Sequence, residues 1–267
     1  SHVGSYLRSV SSKISNTLYI SLEASQRVSS TGEVNSGASL NDLINVVPRI
    51  YVEAHKHAPR LDVRVLHHAN FRKHTIGGSL KARKLCYRPE GVFTNASSSD
   101  DHLGQYLEQH FDIVSSKLSI IRLPEEQTHA ESPQECSTTE TEAKVYDYVC
   151  LGGTFDNFHN GHKIMLSTAQ LKCQKSLTIG VTDRNMIRNK ILWELIESPE
   201  VRIEKLCSYL TDIDPFIEYK VVPIQDPFGP AIVDQELQAI VVSEETIRGG
   251  EKINQIRASK GMSQLHI

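Results

Sequence analysis

The sequence predicts an α/β protein made of two successive domains, the second with a parallel sheet. Three observations predict it. Segments of strand composition alternate with segments of helical spacing from Thr17 to Ser259. An acidic stretch over residues 125–144, almost without apolar side chains, cuts that alternation in two. After it an apolar run ends in Gly152-Gly153, and a short polar loop leads to His159 and His162 at the start of a helical pattern.

Residues 1–15 are rich in serine and precede the first strand-like run. Arg8, Lys13 and Arg27 stand against Glu23 alone within the first thirty residues, so the segment reads as a disordered lead-in or a targeting remnant. Residues 16–124 form the expected N-terminal α/β domain. Thr17–Leu22 is its first strand; Ser39 caps a helix carrying Leu40, Leu43, Ile44 and Val47, which Pro48 interrupts or ends before Ile50–Ala54 resume it. Leu61–Leu66 alternates as a strand, Gly91–Thr94 and Lys117–Leu123 are two more, and a helix over Asp101–His110 lies between the last two. From His55 to Arg88 nine Lys or Arg residues face Asp62 alone, with His55, His57, His67, His68 and His74 among them. A solvated basic surface is the expected reading, with an anion or membrane-surface site as alternatives and a metal site behind them, because the histidines span different elements. The role of this domain is not legible.

Residues 125–144 cannot bury enough surface to offset their ordering entropy and are expected to be a disordered linker. Residues 145–267 form the second domain: strand Val145–Leu151, helix from Asn160 to about Cys173, strand Ser176–Val181, then a polar loop to about Leu192. Ser198-Pro199-Glu200 opens the next helix, with serine at the cap, proline at the first position and an acid in the first turn. Strands Phe216–Ile224 and Ala239–Val242 and a helix over Gly250–Ser259 follow. Such alternation builds a parallel sheet with ligands at the carboxyl ends of its strands.

The loop at Gly152–His162 is one of those ends. A helix N-terminus exposes unpaired N–H groups and about half a positive charge, which attract phosphate. Glycines at 152 and 153 let a phosphate approach the backbone, Thr154 adds a hydroxyl, and histidines three apart share one helix face.

Gly152-Gly153-Thr154-Phe155-Asp156, followed by His159-Asn160-Gly161-His162, resembles the H-x-G-H signature of the nucleotidyltransferase superfamily. Gly180–Asp183, Asp226–Pro230 and Val241–Gly250 narrow the resemblance to the phosphopantetheine adenylyltransferase domains of eukaryotic bifunctional coenzyme A synthases. The resemblance runs from about Val145 to Ile267. It implies a Rossmann-like nucleotidyltransferase domain that transfers adenylyl from ATP to 4′-phosphopantetheine. His159, His162 and Lys190 would be catalytic. Gly152, Gly153, Thr154, Phe155, His162, Ser243, Glu245, Thr246 and Arg248 would bind ATP, and Thr154, Lys190 and Arg184 the substrate phosphate. Mg²⁺ would arrive with ATP, with no dedicated protein site. The serine-rich element and kinase phosphate loop that such proteins carry further on do not occur before Ile267, so a fragment is expected. Within the same fold a nicotinamide-mononucleotide adenylyltransferase or a cytidylyltransferase is the alternative. A non-catalytic nucleotide-binding scaffold is another.

Composition narrows partners. A net charge of −3 argues against general nucleic-acid affinity, and no apolar run approaches a membrane span. Five scattered cysteines without a C-x-x-C pair suit a reducing compartment, cytoplasmic with mitochondrial association as the variant. Oligomeric state is not readable.

Overall fold

The computed structural model describes residues 2–22, 27–28, 34–35, 40–66, 84–94, 99–111, 113, 118–123 and 143–267. Residues 125–142, expected as linker, and His67, His68 and His74 of the basic stretch lie outside them.

In the N-terminal part, α1 (His2–Ser11) precedes β1 (Thr17–Ser21), and β2 (Arg27–Val28) pairs antiparallel with β3 (Val34–Asn35). Helix α2 (Leu40–His57) then crosses to β4 (Asp62–Leu66), which lies parallel to β1 with Leu18 beside Val63 and Ile20 beside Val65. The same plan recurs in β5 (Gly91–Thr94), α3 (Asp100–Phe111) and β6 (Ser119–Arg122), again a parallel pair. Two expectations are corrected. The serine-rich lead-in is helical, because Val3 and Leu7, one turn apart, pack into the cluster of Leu43 and Val47. Helix α2 runs through Pro48, because its buried stripe Leu43, Val47, Ile50, Tyr51 and Ala54 continues on both sides of it. Packing of that stripe outweighs the roughly 3 kcal/mol a proline costs inside a helix.

The C-terminal part holds β7 (Tyr146–Gly153), α4 (Asn160–Lys172), β8 (Cys173–Thr182), α5 (Arg184–Ile187), α6 (Pro199–Ile213), β9 (Glu218–Ile224), β10 (Ala239–Ile240) and α7 (Ile247–Ser259). Its four strands are parallel in the order β10-β7-β8-β9. The chain moves outward from β7 to β9 and then returns to the other side of β7. The crevice therefore opens between β7 and β10, where the order reverses, at their carboxyl ends. Ser198 caps α6 by accepting from Val201 N, with Pro199 at the first position. The polar loop after β8 is partly helical, since Asp183 accepts from Arg184 N and starts α5.

Leu166 and Ala169 of α4 and Leu206, Tyr209, Leu210 and Ile213 of α6 cover one face of the sheet with Val149, Leu151, Leu177 and Ile179. Cys150 and Ile240 meet Ile253 of α7 on the other. The outer side of α4 is covered as well. Ile164 and Leu171 belong to the cluster of α2, β1 and β4, and Leu66, Leu107 and Phe111 pack into the cluster under the sheet. Tyr51 and Tyr209 hydroxyls meet at 2.8 Å across this join, and Arg64 donates to Asp212 at 2.6 Å. Arg64, expected within a solvated basic surface, is thus buried at 5 % exposure and paired with acids on both sides.

Candidate active site

Strand β7 ends at Gly153 and α4 starts at Asn160, so six residues turn the chain from sheet to helix. Phe155 (φ 53°) and Asn157 (φ 43°) both take the left-handed conformation there. Asparagine adopts it readily, but phenylalanine is strained, and such strain persists only where the surroundings impose it. Here the Phe155 ring is fully buried, 5.3 Å from the His162 ring. A Cβ on Gly153 would come within 3.1 Å of that ring, so this position has no room for a side chain. Phe155, expected among the ATP-binding residues, places its side chain in the core beneath the loop.

The histidines are arranged by the helix start itself. Gly161 N donates to His159 Nδ1 at 3.1 Å, and His159 N donates to His162 Nδ1 at 3.4 Å, a reciprocal capping box. The rings stack with centroids 3.9 Å apart. Since each Nδ1 accepts, each neutral imidazole carries its proton on Nε2. Burial lowers the pKa of His162 to about 4, with His159 adding and Asp156 opposing. Burial, then His55, lowers that of His159. At neutral pH the pair is therefore uncharged, and presents two N–H donors. A Cβ on Gly161 would stand 3.0 Å from the His159 ring, which makes glycine a condition of this geometry.

Lys190 reaches the beginning of this loop from the loop after β8. Its Nζ donates to Thr154 Oγ1 at 2.6 Å, and Thr182 Oγ1 at the end of β8 donates to that hydroxyl at 3.2 Å. Arg184 stays at the rim, exposed and 3.7 Å from Glu200. Gly152 sits beside Gly180 in the sheet. Across the crevice Val241 N donates to Cys150 O at 2.9 Å, which sets the Ser243–Thr246 turn at the carboxyl end of β10. Ser243 N donates to Thr246 Oγ1 at 3.0 Å and Thr246 N to Ser243 O at 2.9 Å, so these two residues form a cap at the entry to α7. Glu245 and Arg248 are exposed on that turn and the first turn of α7.

Sequence reading missed Arg202. It is fully buried on α6, and its guanidinium donates to the carbonyls of Thr154 (2.5 Å), Thr182 (2.8 Å) and Glu197 (2.8 Å). One side chain thereby ties the ends of β7 and β8 to the loop that bears Lys190. The signal was available: Arg202 falls on the apolar stripe of Leu206, Tyr209, Leu210 and Ile213, where a solvated arginine has no place. Phe158, stacked on His162 at 5.8 Å, was also passed over.

A cytidylyltransferase-like family model matches residues 150–266, the span that holds all of these groups except the N-terminal His55. A phosphopantetheine adenylyltransferase of Methanothermobacter thermautotrophicus is 39 % identical over 124 residues, 46 % of this chain and 73 % of that protein. The chain belongs to the phosphopantetheine adenylyltransferase family. A member from Thermococcus kodakarensis is 38 % identical over 124 residues, 46 % of this chain and 74 % of that one. One from Saccharomyces cerevisiae is 36 % identical over 126 residues, 47 % of this chain but 41 % of the yeast protein, so the chain spans less than half of that relative. Family membership agrees with the α/β nucleotidyltransferase fold. Among the described residues no helix is long and apolar enough to cross a membrane.

Proposed function

We propose that the chain transfers adenylyl from ATP to 4′-phosphopantetheine, giving dephospho-coenzyme A and pyrophosphate, as the adenylyltransferase part of a eukaryotic bifunctional coenzyme A synthase. The observation that carries this reading is the pair of neutral histidines. Their Nε2–H groups stand at a helix N-terminus, and Thr154, hydrogen-bonded by Lys190, opens the loop that leads into it.

The phosphate of 4′-phosphopantetheine is a monoester whose second pKa is about 6, so it is close to a dianion at neutral pH and needs no general base. One of its oxygens attacks the α-phosphorus of ATP. The bond from that phosphorus to the bridging oxygen breaks, and pyrophosphate leaves with the electron pair. What the protein must supply is alignment and stabilisation of charge. Neutral imidazoles suit this, because each donates its Nε2–H to a phosphoryl oxygen and holds that proton firmly at neutral pH. Lys190, with Arg184 at the rim, receives the substrate phosphate, and Gly152, Gly153 and Thr154 bring backbone and hydroxyl to the nucleotide. Ser243, Glu245, Thr246 and Arg248 face the adenosine across the crevice. Mg²⁺ bound to the nucleotide would supply charge neutralisation of the phosphates, with no dedicated protein ligands proposed.

The test is pyrophosphate release with ATP and 4′-phosphopantetheine. The wild type should turn over, and His162→Ala should lose roughly a hundredfold or more in rate, as expected for removal of one preorganised donor. Turnover with CTP or with another phosphorylated acceptor in place of these substrates would overturn the assignment while leaving the family intact.

A further inference from the structure

A lysine is poorly placed where Lys163 sits. It follows His162 in the first turn of α4, at the positive end of the helix dipole, and is 3 % exposed. Burial draws its pKa down, and Asp62 opposes that shift. An apolar side chain would avoid both costs, and buried ion pairs are often replaced by such residues without loss of stability. What this pair supplies is direction. Lys163 Nζ donates to Asp62 Oδ1 at 2.5 Å and to Val63 O at 2.9 Å, both on β4. The other oxygen of Asp62 accepts from Arg64 Nε at 2.9 Å, and Arg64 Nη1 donates to Asp212 Oδ2 on α6 at 2.6 Å. Tyr19 OH donates to the same Asp212 oxygen at 2.6 Å. A row of alternating charges therefore runs from the start of α4 through β4 to α6.

A second hold lies between the histidines. Asn160 Nδ2 donates to Tyr51 O on α2 at 3.3 Å. In the run His159-Asn160-Gly161-His162-Lys163, the two histidine rings stack on each other and the residue after each is tied to the N-terminal part. Helix starts are otherwise soft, since their first N–H groups lack partners within the helix, and Gly161 adds no packing of its own.

We propose that Asn160 and Lys163 are positioning residues, through which Tyr51 and Asp62 of the N-terminal part fix the first turn of α4 and so the placement of the His159 and His162 donors. This rests on the reading of those histidines as phosphate donors. It gives residues 2–66 a part in the reaction that their own sequence does not declare.

The experiment combines steady-state kinetics with NMR of the two imidazoles during titration with inorganic triphosphate. The wild type is compared with Lys163→Met, Asn160→Ala and Leu7→Ala. The groups around the imidazoles that also affect these signals are His55 on α2 and Asp156 on the loop. Lys163→Met should lower kcat/KM by about a hundredfold, the cost of misplacing a reacting group by about 1 Å, and weaken the triphosphate-induced shifts of both rings. Asn160→Ala should lose about tenfold, from one hydrogen bond, and decides the matter if Lys163→Met does not fold. Leu7→Ala empties part of the α1–α2 core and touches neither tie. It should lower Tm and leave kcat/KM unchanged. Wild-type kinetics and ring shifts in Lys163→Met and Asn160→Ala, or losses that follow Tm through all three variants, overturn the proposal. If the wild-type rings do not respond to triphosphate, the donor reading falls and the proposal with it.

Discussion

The two parts of the chain use the same device, a parallel strand pair spanned by a helix, and differ in where their polar side chains point. In the C-terminal part the polar groups at the carboxyl end of the sheet pair within that part, His159 with His162 and Lys190 with Thr154, 3 and 36 residues apart. In the N-terminal part Tyr51, Asp62 and Arg64 turn toward another element, and their partners Tyr209, Lys163 and Asp212 lie 158, 101 and 148 residues away. Local chemistry leaves a motif in the sequence. Chemistry completed by a distant partner leaves a charged residue that looks solvated.

The strongest way to break the C-terminal side of this comparison is Arg202→Met. The substitution keeps most of the side-chain volume and leaves the carbonyls of Thr154, Thr182 and Glu197 without their buried donor. Each orphaned acceptor costs about 1–3 kcal/mol, so a loss of about 4 kcal/mol in unfolding free energy is expected. Chemical denaturation would show it. A midpoint within error of the wild type would mean that the strand ends are held by packing alone. Gly161→Ala comes next and leaves the core untouched. Its methyl would stand 3.0 Å from the His159 ring, so the ring must turn away. A rate loss of about a hundredfold is expected, equivalent to about 3 kcal/mol, with Tm little changed. Equal activity would show that His159 can be displaced without consequence.

Much of the fold was legible because each element carried its own punctuation. Gly152-Gly153 ended β7, Ser198-Pro199-Glu200 started α6, and the spacing of Leu61–Leu66 marked β4. The resemblance grouped Lys190 with Thr154, which the structure joins by a hydrogen bond, whereas the helix expected over Gly250–Ser259 starts three residues earlier, at Ile247. Other features were hidden by tertiary contacts. Residues 40–57 show helical spacing on both sides of Pro48 but not that one helix crosses it, because the stabilising stripe acts against α1, β1, β4 and α4. The buried face of β4 was equally hidden, since Asp62 and Arg64 alternate with valines as they would on a solvated strand. Arg202 was the avoidable omission: its position on an apolar helix stripe can be counted from Leu206, Tyr209 and Ile213 alone.

A smaller effect sharpens the join between the two parts. Tyr51 and Tyr209 share a hydrogen bond at 2.8 Å, and Tyr209 also meets Ser167 of α4 at 3.0 Å. In a double-mutant cycle, Tyr51→Phe and Tyr209→Phe should show a coupling of about 1 kcal/mol in unfolding free energy. Strict additivity would mean that the hydroxyls do not couple the halves, and that shared apolar packing does so alone.

The smallest expected effect assigns the acid sensitivity of the fold to one side. His162 has a folded-state pKa near 4, against 6.5 for an ordinary histidine, because burial disfavours its charge. As pH falls through 6.5 the unfolded chain takes up a proton there and the folded chain does not, so stability declines from about pH 7.5 toward pH 4. His159 is shifted in the same direction, mainly by burial. Between pH 8 and pH 6 the decline from His162 should be on the order of half a kcal/mol, after discounting for partial exposure of the ring. The substitution His162→Gln should flatten that part of the stability profile. Saturating triphosphate should also oppose the decline, because a bound anion favours the protonated ring. A profile unchanged by His162→Gln would move the acid sensitivity elsewhere, and His162 would then be an ordinary solvated imidazole with no preorganised donor to offer.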